Sequence, residues 1–286
     1  MKPAPFSYVR VSDLVEAFDL LEDYGADARI LSGGQSLIPT LNLRLSAPSL
    51  LIDIGGLASL RGIEARGEQI RIGALTRHVD VERSPLIATR LPLLSQAMPH
   101  VAHAAIRNRG TIGGSLALAD PAAELPACML ALNATMVIAS RKGERKVPAS
   151  EFFKGLYSTA LEPNEILVCI DIPATSGGAR YYFNEFARRH GDYALVGIAA
   201  VCEFIANQPR DLRLVFFGCG DRPLRASHTE AAVLQTGLTS LQLEKTITTA
   251  IGRDLDPQAD LHASSSTRLH LASVLARRSI ASFLNS

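Results

Sequence analysis

Two stretches of this chain combine glycines and hydroxyl side chains in an order suited to holding an anion: Ser32-Gly33-Gly34-Gln35-Ser36 and Thr111-Ile112-Gly113-Gly114-Ser115. Glycines let main-chain N–H groups approach a ligand closely, hydroxyls add donors, and a helix start at the same place supplies the positive end of a dipole. The first stretch follows the apolar run Ala28-Arg29-Ile30-Leu31, and the second leads into Leu116-Ala117-Leu118-Ala119-Asp120-Pro121, where a helix start is expected. Two such cradles imply a ligand with two phosphates. The competing explanation is a pair of tight turns whose glycines serve only a positive φ. Arg107 and Arg109 stand directly before the second cradle, either to balance phosphate charge or as a solvated turn. Glu124 falls one turn into the next helix, either bonded to a sugar or ribityl hydroxyl or placed there by the helix dipole. Far along the chain Gly191-Asp192 makes a turn and Tyr193 enters a strand, as core packing or as a ring laid on a flat cofactor.

Other chemistries lack their residues. No Gly-x-Gly-x-x-Gly follows a strand and no Gly-x-x-x-x-Gly-Lys precedes a helix, so Rossmann and P-loop nucleotide sites are excluded. A hydrolase would need a Gly-x-Ser-x-Gly elbow or a His-Glu-x-x-His pair, and neither occurs. His78, His100 and His103 are spaced for caps, hydrogen bonds or solvent in preference to a metal. Cys128, Cys169, Cys202 and Cys219 are too far apart in sequence for a metal or iron–sulfur motif, and three of the four sit in apolar runs where a cysteine packs as a small hydrophobe. With 29 Lys+Arg against 28 Asp+Glu, no basic field exists to hold nucleic acid. Met1-Lys2-Pro3-Ala4-Pro5 does not open a signal peptide and no apolar run reaches bilayer length, so a cytoplasmic protein with no membrane span is expected.

The elements that must position these residues follow from periodicity. Strands are expected at 6–9, at the run ending in Leu31 and at 50–54. Between them lie a helix capped by Ser12 with Leu14, Val15, Phe18 and Leu21 on one face, and a second with Leu37, Ile38, Leu41 and Leu45 on one side. That order makes a small parallel βαβαβ lobe over about 1–56. From Leu57 the pattern turns to hairpins, giving a mainly antiparallel lobe over 57–175. Thr76 reads as a helix cap there. A longer helix from Leu91 is expected to carry Leu94, Ala97, Met98 and Val101 on one stripe. Asp120-Pro121 reads as the N-cap and first residue of the helix bearing Glu124, Leu125 and Met129. Pro173-Ala174-Thr175-Ser176-Gly177-Gly178 is a linker. Beyond it, alternating segments at 181–187, 194–204 and 211–219 precede three helices, the last over about 265–284. This predicts a C-terminal α+β domain, 180–286, with a three-stranded antiparallel sheet.

In this order and spacing, the stretch 32–36, the run Arg107-Asn108-Arg109-Gly110-Thr111-Ile112-Gly113-Gly114-Ser115, Asp120-Pro121 with Glu124, and Gly191-Asp192-Tyr193 resemble the FAD-binding medium subunit of the molybdenum hydroxylases, the carbon monoxide dehydrogenase and xanthine dehydrogenase family. The resemblance spans essentially the whole chain. It implies an α+β fold with a two-lobed FAD domain, 1–175, holding the dinucleotide between its lobes. Both glycine loops would hold the diphosphate through backbone N–H groups, Tyr193 would cover one isoalloxazine face, Glu124 would lie near the ribityl chain, and Val101 and Ala102 would line the flavin edge. No catalytic residue or metal ligand is expected in the chain itself. The resemblance also implies partners: a molybdenum-cofactor large subunit and an iron–sulfur small subunit, in a dimer of heterotrimers. The flavin there collects single electrons and hands pairs to an external acceptor. A free-standing flavoenzyme or flavin reductase is the alternative, and a non-redox module for another diphosphate ligand is a third reading.

Overall fold

Three main sheets organise the chain in a computed structural model that describes residues 2–174, 177–189 and 191–285. Thr175 and Ser176 of the expected linker lie outside the described residues. The first sheet is parallel, with Leu50–Asp53 between Ser7–Arg10 and Ala28–Leu31. Its central strand is covered on both faces, which explains the unbroken apolar run Leu50-Leu51-Ile52. The helix Leu14–Tyr24 buries Ala17, Phe18 and Leu21 in the same core, leaving Val15 exposed. Its cap is Asp13, one residue later than expected. The Glu16 N–H donates to Asp13 Oδ1 (2.9 Å), while Glu16 Oε2 accepts from the Ser12 N–H (2.8 Å) and hydroxyl (3.0 Å). Ser12 therefore serves a reciprocal capping arrangement from outside the helix. The second helix is only Leu37–Asn42 and buries Leu41 alone; Ile38 and Leu45 are exposed, so the expected stripe does not pack. The helix stops too early to carry Leu45, and Arg44 turns the chain at φ 55°.

The second sheet is antiparallel, in the order Ile63–Arg66, Gln69–Gly73, Ile166–Pro173, Thr135–Ser140, Gly143–Pro148. Its middle strand is buried from Ile166 to Ile172 because it faces two cores. Ile166 and Val168 join the core of the parallel sheet, and Leu167, Ile170 and Ile172 join the larger core behind it. A bulge between Leu167 and Cys169 shifts the pairing register. Across this sheet Arg71 makes a two-pronged bond to buried Asp171 (2.6 and 2.7 Å).

Three expected helix features differ here. The long helix from Leu91 is broken into Pro92–Ala97, the 3-10 turn Met98–His100 and Ala104–Arg107, because Pro99 lacks an N–H and Ala102 takes a left-handed φ of 47°. Its apolar stripe nonetheless stays buried. Thr76 is not a cap: its hydroxyl bonds the N–H and carbonyl of Gly62 (3.0 Å each), and the helix starts at His78. Asp120 accepts from the Ala122 N–H (2.9 Å) in a turn, so the next helix begins only at Glu124.

The third sheet pairs Ala179–Ala187, Ala194–Ile205 and Gln208–Phe217, with a two-residue fourth strand, Leu224–Arg225, added to the three expected. Helices Ser227–Thr236, Leu243–Asp254 and Ser265–Asn285 pack on one face. The other face is continuous with the core of the antiparallel sheet through Phe183, Val201 and Phe217. Gly197 is required there, since the Phe217 ring occupies the space a side chain would need. Among the described residues no helix is long and apolar enough to cross a membrane.

Candidate cofactor site

A cavity of about 660 Å³ opens where the first two sheets meet, at the C-terminal ends of the strands Ala28–Leu31 and Leu50–Asp53. Open α/β sheets place ligands at that end. Every residue the resemblance assigns to the cofactor lines it except Ile112, which is buried in the core behind the second loop.

The two glycine loops differ in what they offer. In the first, the backbone N–H groups of Gly33, Gly34, Gln35 and Ser36 donate to no acceptor among the described residues. Gly34 turns the loop at φ 72°, and Gln35 Nε2 closes it onto the Gly33 carbonyl (3.1 Å). The Gly34 carbonyl then accepts the first helical bond from Ile38 (3.1 Å). Four free donors on one turn make an anion cradle.

The second loop is already helix. Thr111 caps Ile112–Leu118 by accepting from the Gly114 N–H (3.2 Å), so the helix starts inside the motif and not after it. The N–H groups of Ile112, Gly113 and Ser115 donate to Thr76, Ala74 and Thr111 carbonyls (3.0, 2.8 and 3.2 Å). What this loop presents to the cavity is the hydroxyls of Thr111 and Ser115 and the bare Cα of Gly114. The loops clasp each other: Ser32 Oγ and Thr111 Oγ1 are 2.7 Å apart, and Gly33 lies so close to the Arg109–Gly110 backbone that a Cβ would collide with it. Gly113 abuts Ala74 in the same way, whereas a Cβ on Gly114 would point at the clasp, 2.9 Å from Thr111 Oγ1.

Neither arginine before the second loop reaches the cavity wall. Arg107 donates to Glu82 (2.9 and 3.1 Å) and to the carbonyls of Val101 and Ala102 (3.1 and 2.9 Å), and so fixes the turn that brings those two residues to the wall. Arg29 does line the cavity, with its guanidinium tied to the Ala26 and Ala28 carbonyls.

The far end of the cavity is aromatic and acidic. Tyr193 is 70% exposed at the wall, which removes the core-packing explanation for it. The turn before it needs Gly191, at φ 85°, because the His103 ring packs where a side chain would begin. Tyr157 shares this end and was not singled out by sequence. It sits at φ 52° in the hairpin Phe153–Gly155 and Ser158–Thr159, and its hydroxyl is 3.4 Å from Asp120 Oδ2. An apolar pair, Leu156-Tyr157, at a hairpin tip was the available signal. Burial and then the Asp120 charge raise both phenols above the ordinary tyrosine value. Glu124 is buried at the wall, and its carboxyl is pushed up to about 7, first by burial, with the Glu185 and Asp120 charges adding.

His78 is a second residue that no motif marked. It is buried under the second loop with Nε2 3.1 Å from Ser115 Oγ and, among the described residues, no hydrogen-bond partner for Nδ1. Burial lowers it to about 4, with the Arg107 charge adding, so it is neutral at pH 7. Among the described residues no cluster of His, Cys, Asp or Glu could hold a metal ion, and all four cysteines are buried free thiols. An anion cradle, an intervening run of hydroxyls and a flat aromatic end suit a long cofactor with phosphates at one part and a planar ring at another.

Comparison with known proteins agrees with this geometry. Residues 4–175 match the family described as the FAD binding domain in molybdopterin dehydrogenase, and residues 181–283 match the CO dehydrogenase flavoprotein C-terminal domain. The chain is 40% identical over 286 residues to the alpha subunit of the 6-hydroxypseudooxynicotine dehydrogenase complex of Paenarthrobacter nicotinovorans, covering 100% of this chain and 96% of that one. A chain of carbon monoxide dehydrogenase from Hydrogenophaga pseudoflava, in a form lacking the Mo-pyranopterin moiety, superposes with a TM-score of 0.95 at 35% identity, covering 100% and 99%. A chain of quinoline 2-oxidoreductase from Pseudomonas putida 86 superposes with a TM-score of 0.90 at 38% identity, also covering 100% and 99%.

Proposed function

The chain belongs to the FAD-binding medium-subunit family of the molybdenum hydroxylases, the carbon monoxide dehydrogenase and xanthine dehydrogenase type, and from that premise we propose that it is the electron-output subunit of a cytoplasmic heterotrimer. It is an FAD-binding oxidoreductase subunit of a complex of the carbon monoxide dehydrogenase type. Its proposed partners are a molybdenum-cofactor large subunit and an iron–sulfur small subunit, paired as a dimer of heterotrimers. The chemistry that FAD supplies when bound is the conversion between single-electron and paired-electron transfer, here toward an external acceptor.

The chain's own part is to bind and orient. In our reading the free N–H groups of Gly33, Gly34, Gln35 and Ser36 take the diphosphate, and the hydroxyls of Ser32, Thr111 and Ser115 complete its shell. Gly113 and Ile112 hold the second loop against the sheet, and Gly114 keeps the junction open. Val101 and Ala102 border the flavin edge, Glu124 lies by the ribityl chain, and Tyr193 covers one face of the isoalloxazine, with Tyr157 beside it. We divide the chain into an FAD domain, 1–175, with lobes of about 1–56 and 57–175, and a C-terminal domain, 180–286. The observation that carries this reading is the row of four unengaged N–H groups beside the Ser32–Thr111 contact, inside one cavity that ends at exposed tyrosines.

The test is purification followed by acid precipitation. One noncovalent FAD per chain, released entirely into the supernatant, is expected, together with copurifying subunits that contain iron, sulfide and molybdenum. Flavin held on the pellet, or released mainly as FMN, contradicts the cradle assignment. A yellow chain that is active alone favours the free-standing flavoenzyme.

A further inference from the structure

We propose that His78 is a positioning residue for the cofactor site: its Nε2–H donates to Ser115 Oγ, which turns the Ser115 hydroxyl proton toward the cavity as a donor to an anionic oxygen of the ligand. That this oxygen belongs to the FAD diphosphate rests on the functional reading above; the direction of the His78–Ser115 bond does not.

Backbone pairing sets the ring in place. The His78 N–H donates to the Gly110 carbonyl (2.9 Å) and the Ile112 N–H to the Thr76 carbonyl (3.0 Å), so the imidazole lies under the start of the helix Ile112–Leu118. Only 4% exposed, it borders the cavity with Nε2 3.1 Å from Ser115 Oγ. Nδ1 is packed against Gly110, where a Cβ would stand 3.0 Å away, and has no hydrogen-bond partner among the described residues.

Burial, and after it the Arg107 charge, keep this ring neutral at pH 7, so it carries one proton on one nitrogen. The hydrogen that Gly110 has in place of a Cβ lies toward Nδ1. A lone pair is accommodated against that C–H, whereas an N–H would meet it head-on and be buried without an acceptor. On Nε2 the proton has Ser115 Oγ. The Thr111 carbonyl, which accepts the Ser115 N–H (3.2 Å), also favours a proton on the ring. Once Oγ accepts from Nε2, its own proton must go elsewhere, and Oγ has no other partner among the described residues. Serines inside helices often turn back to the carbonyl four residues earlier, here Thr111. The His78 bond holds Oγ out of that contact, and a hydroxyl that accepts one bond donates the next more strongly. The opposite tautomer would take the Ser115 proton and leave only lone pairs facing the ligand, which repel an anionic oxygen.

The experiments use the full chain. In protein freed of flavin and isotope-labelled in its histidine rings, NMR at pH 7 should show His78, assigned by the loss of its signals in His78→Gln, with a protonated Nε2 and a bare Nδ1. A protonated Nδ1 overturns the bond direction whatever the ligand is. In the second arm, FAD titrations compare the wild type, His78→Met, His78→Gln, Ser115→Ala and the double variant His78→Met with Ser115→Ala. His78→Met should weaken binding about tenfold, the low end for one hydrogen bond to a charged group. His78→Gln, whose amide donates from where Nε2 stands, should recover most of that loss, and His78→Met should cost nothing further once Ser115 is replaced. An equal cost in the Ser115→Ala background, or a His78→Gln chain as weak as His78→Met, means that the ring only supports the loop and overturns the positioning role. A chain that binds no FAD in any form defeats the functional reading, while the tautomer still decides the direction of the bond. If His78→Met does not fold, His78→Asn replaces it, since its shorter amide falls near Nδ1 and leaves Ser115 without the donor.

Discussion

Gly33 and Gly114 stand in similar glycine pairs and do different work. A side chain at Gly33 would strike the Arg109–Gly110 backbone, so Gly33→Val should part the two loops and lower the thermal midpoint as well as FAD affinity. Gly114→Ala keeps a good helix former in a helix and pushes only on the Ser32–Thr111 contact. It should fold normally yet bind FAD about tenfold or more weakly, the loss of one hydrogen bond to a charged group, roughly 1.5–3 kcal/mol. Fluorescence titration decides this, and unchanged affinity in both variants would reduce the loops to plain turns. Tyr193→Ala should cost only about 0.5–1.5 kcal/mol of stacking and so retain FAD, while changing the flavin absorbance and the rate of reoxidation in stopped flow. A spectrum and rate like the wild type's would place the ring away from the flavin. His78 gives a prediction for the protein without ligand. Its native value near 4 lies below the ordinary one of 6.5, so the unfolded chain binds a proton that the native one refuses over that window. Stability should be full above pH 6.5 and fall by about 3 kcal/mol as pH drops to 4, in denaturant titrations. His78→Gln should flatten the decline.

Among the elements, strands were the more legible because alternation reports a half-covered sheet directly; those of the parallel and C-terminal sheets fall close to where the residues put them, and the hairpin texture from Leu57 is an antiparallel sheet. Helices were harder wherever proline or a turn cut a long apolar stripe, as at Pro99 and at Pro121 to Ala123. In the cofactor site, residue types and spacing marked the cavity wall well. They could not reveal that the Ile112 and Gly113 N–H groups are engaged, since their acceptors, Thr76 and Ala74, come from a segment over thirty residues away. Tyr157 and His78 were hidden for a related reason: only the packing of distant segments makes them neighbours of the motif. Arg107, read from sequence as a phosphate partner or a solvated residue, holds the Val101–Ala102 turn. Arg107→Ala should lower stability by about 1–3 kcal/mol through those carbonyls and Glu82, and Lys should rescue it poorly because one ammonium cannot reproduce the fork. Chemical denaturation of the three proteins measures both effects, and full rescue by Lys would show that charge alone matters.

Across the whole molecule, the antiparallel sheet's large core runs without interruption into the C-terminal sheet through Phe183, Val201, Val215 and Phe217. A fragment ending at residue 174 would expose that surface and should fail to fold, giving no cooperative thermal transition and no FAD binding; a cooperative, FAD-loaded fragment would contradict this continuity. The hydroxyl clasp of Ser32 on Thr111 joins segments 79 residues apart, at the point where the proposed diphosphate sits. A cofactor lodged across such a latch leaves only when the latch opens, so its residence time is set by an opening rate as much as by contact energy. Ser32→Ala should then shorten the half-life of bound FAD after dilution into apoprotein trap by more than it raises the equilibrium Kd, with faster capture offsetting part of the faster escape. The flavin inventory of the complex would be governed by kinetics: a chain loaded during assembly would stay loaded through dilutions that its affinity alone would not survive.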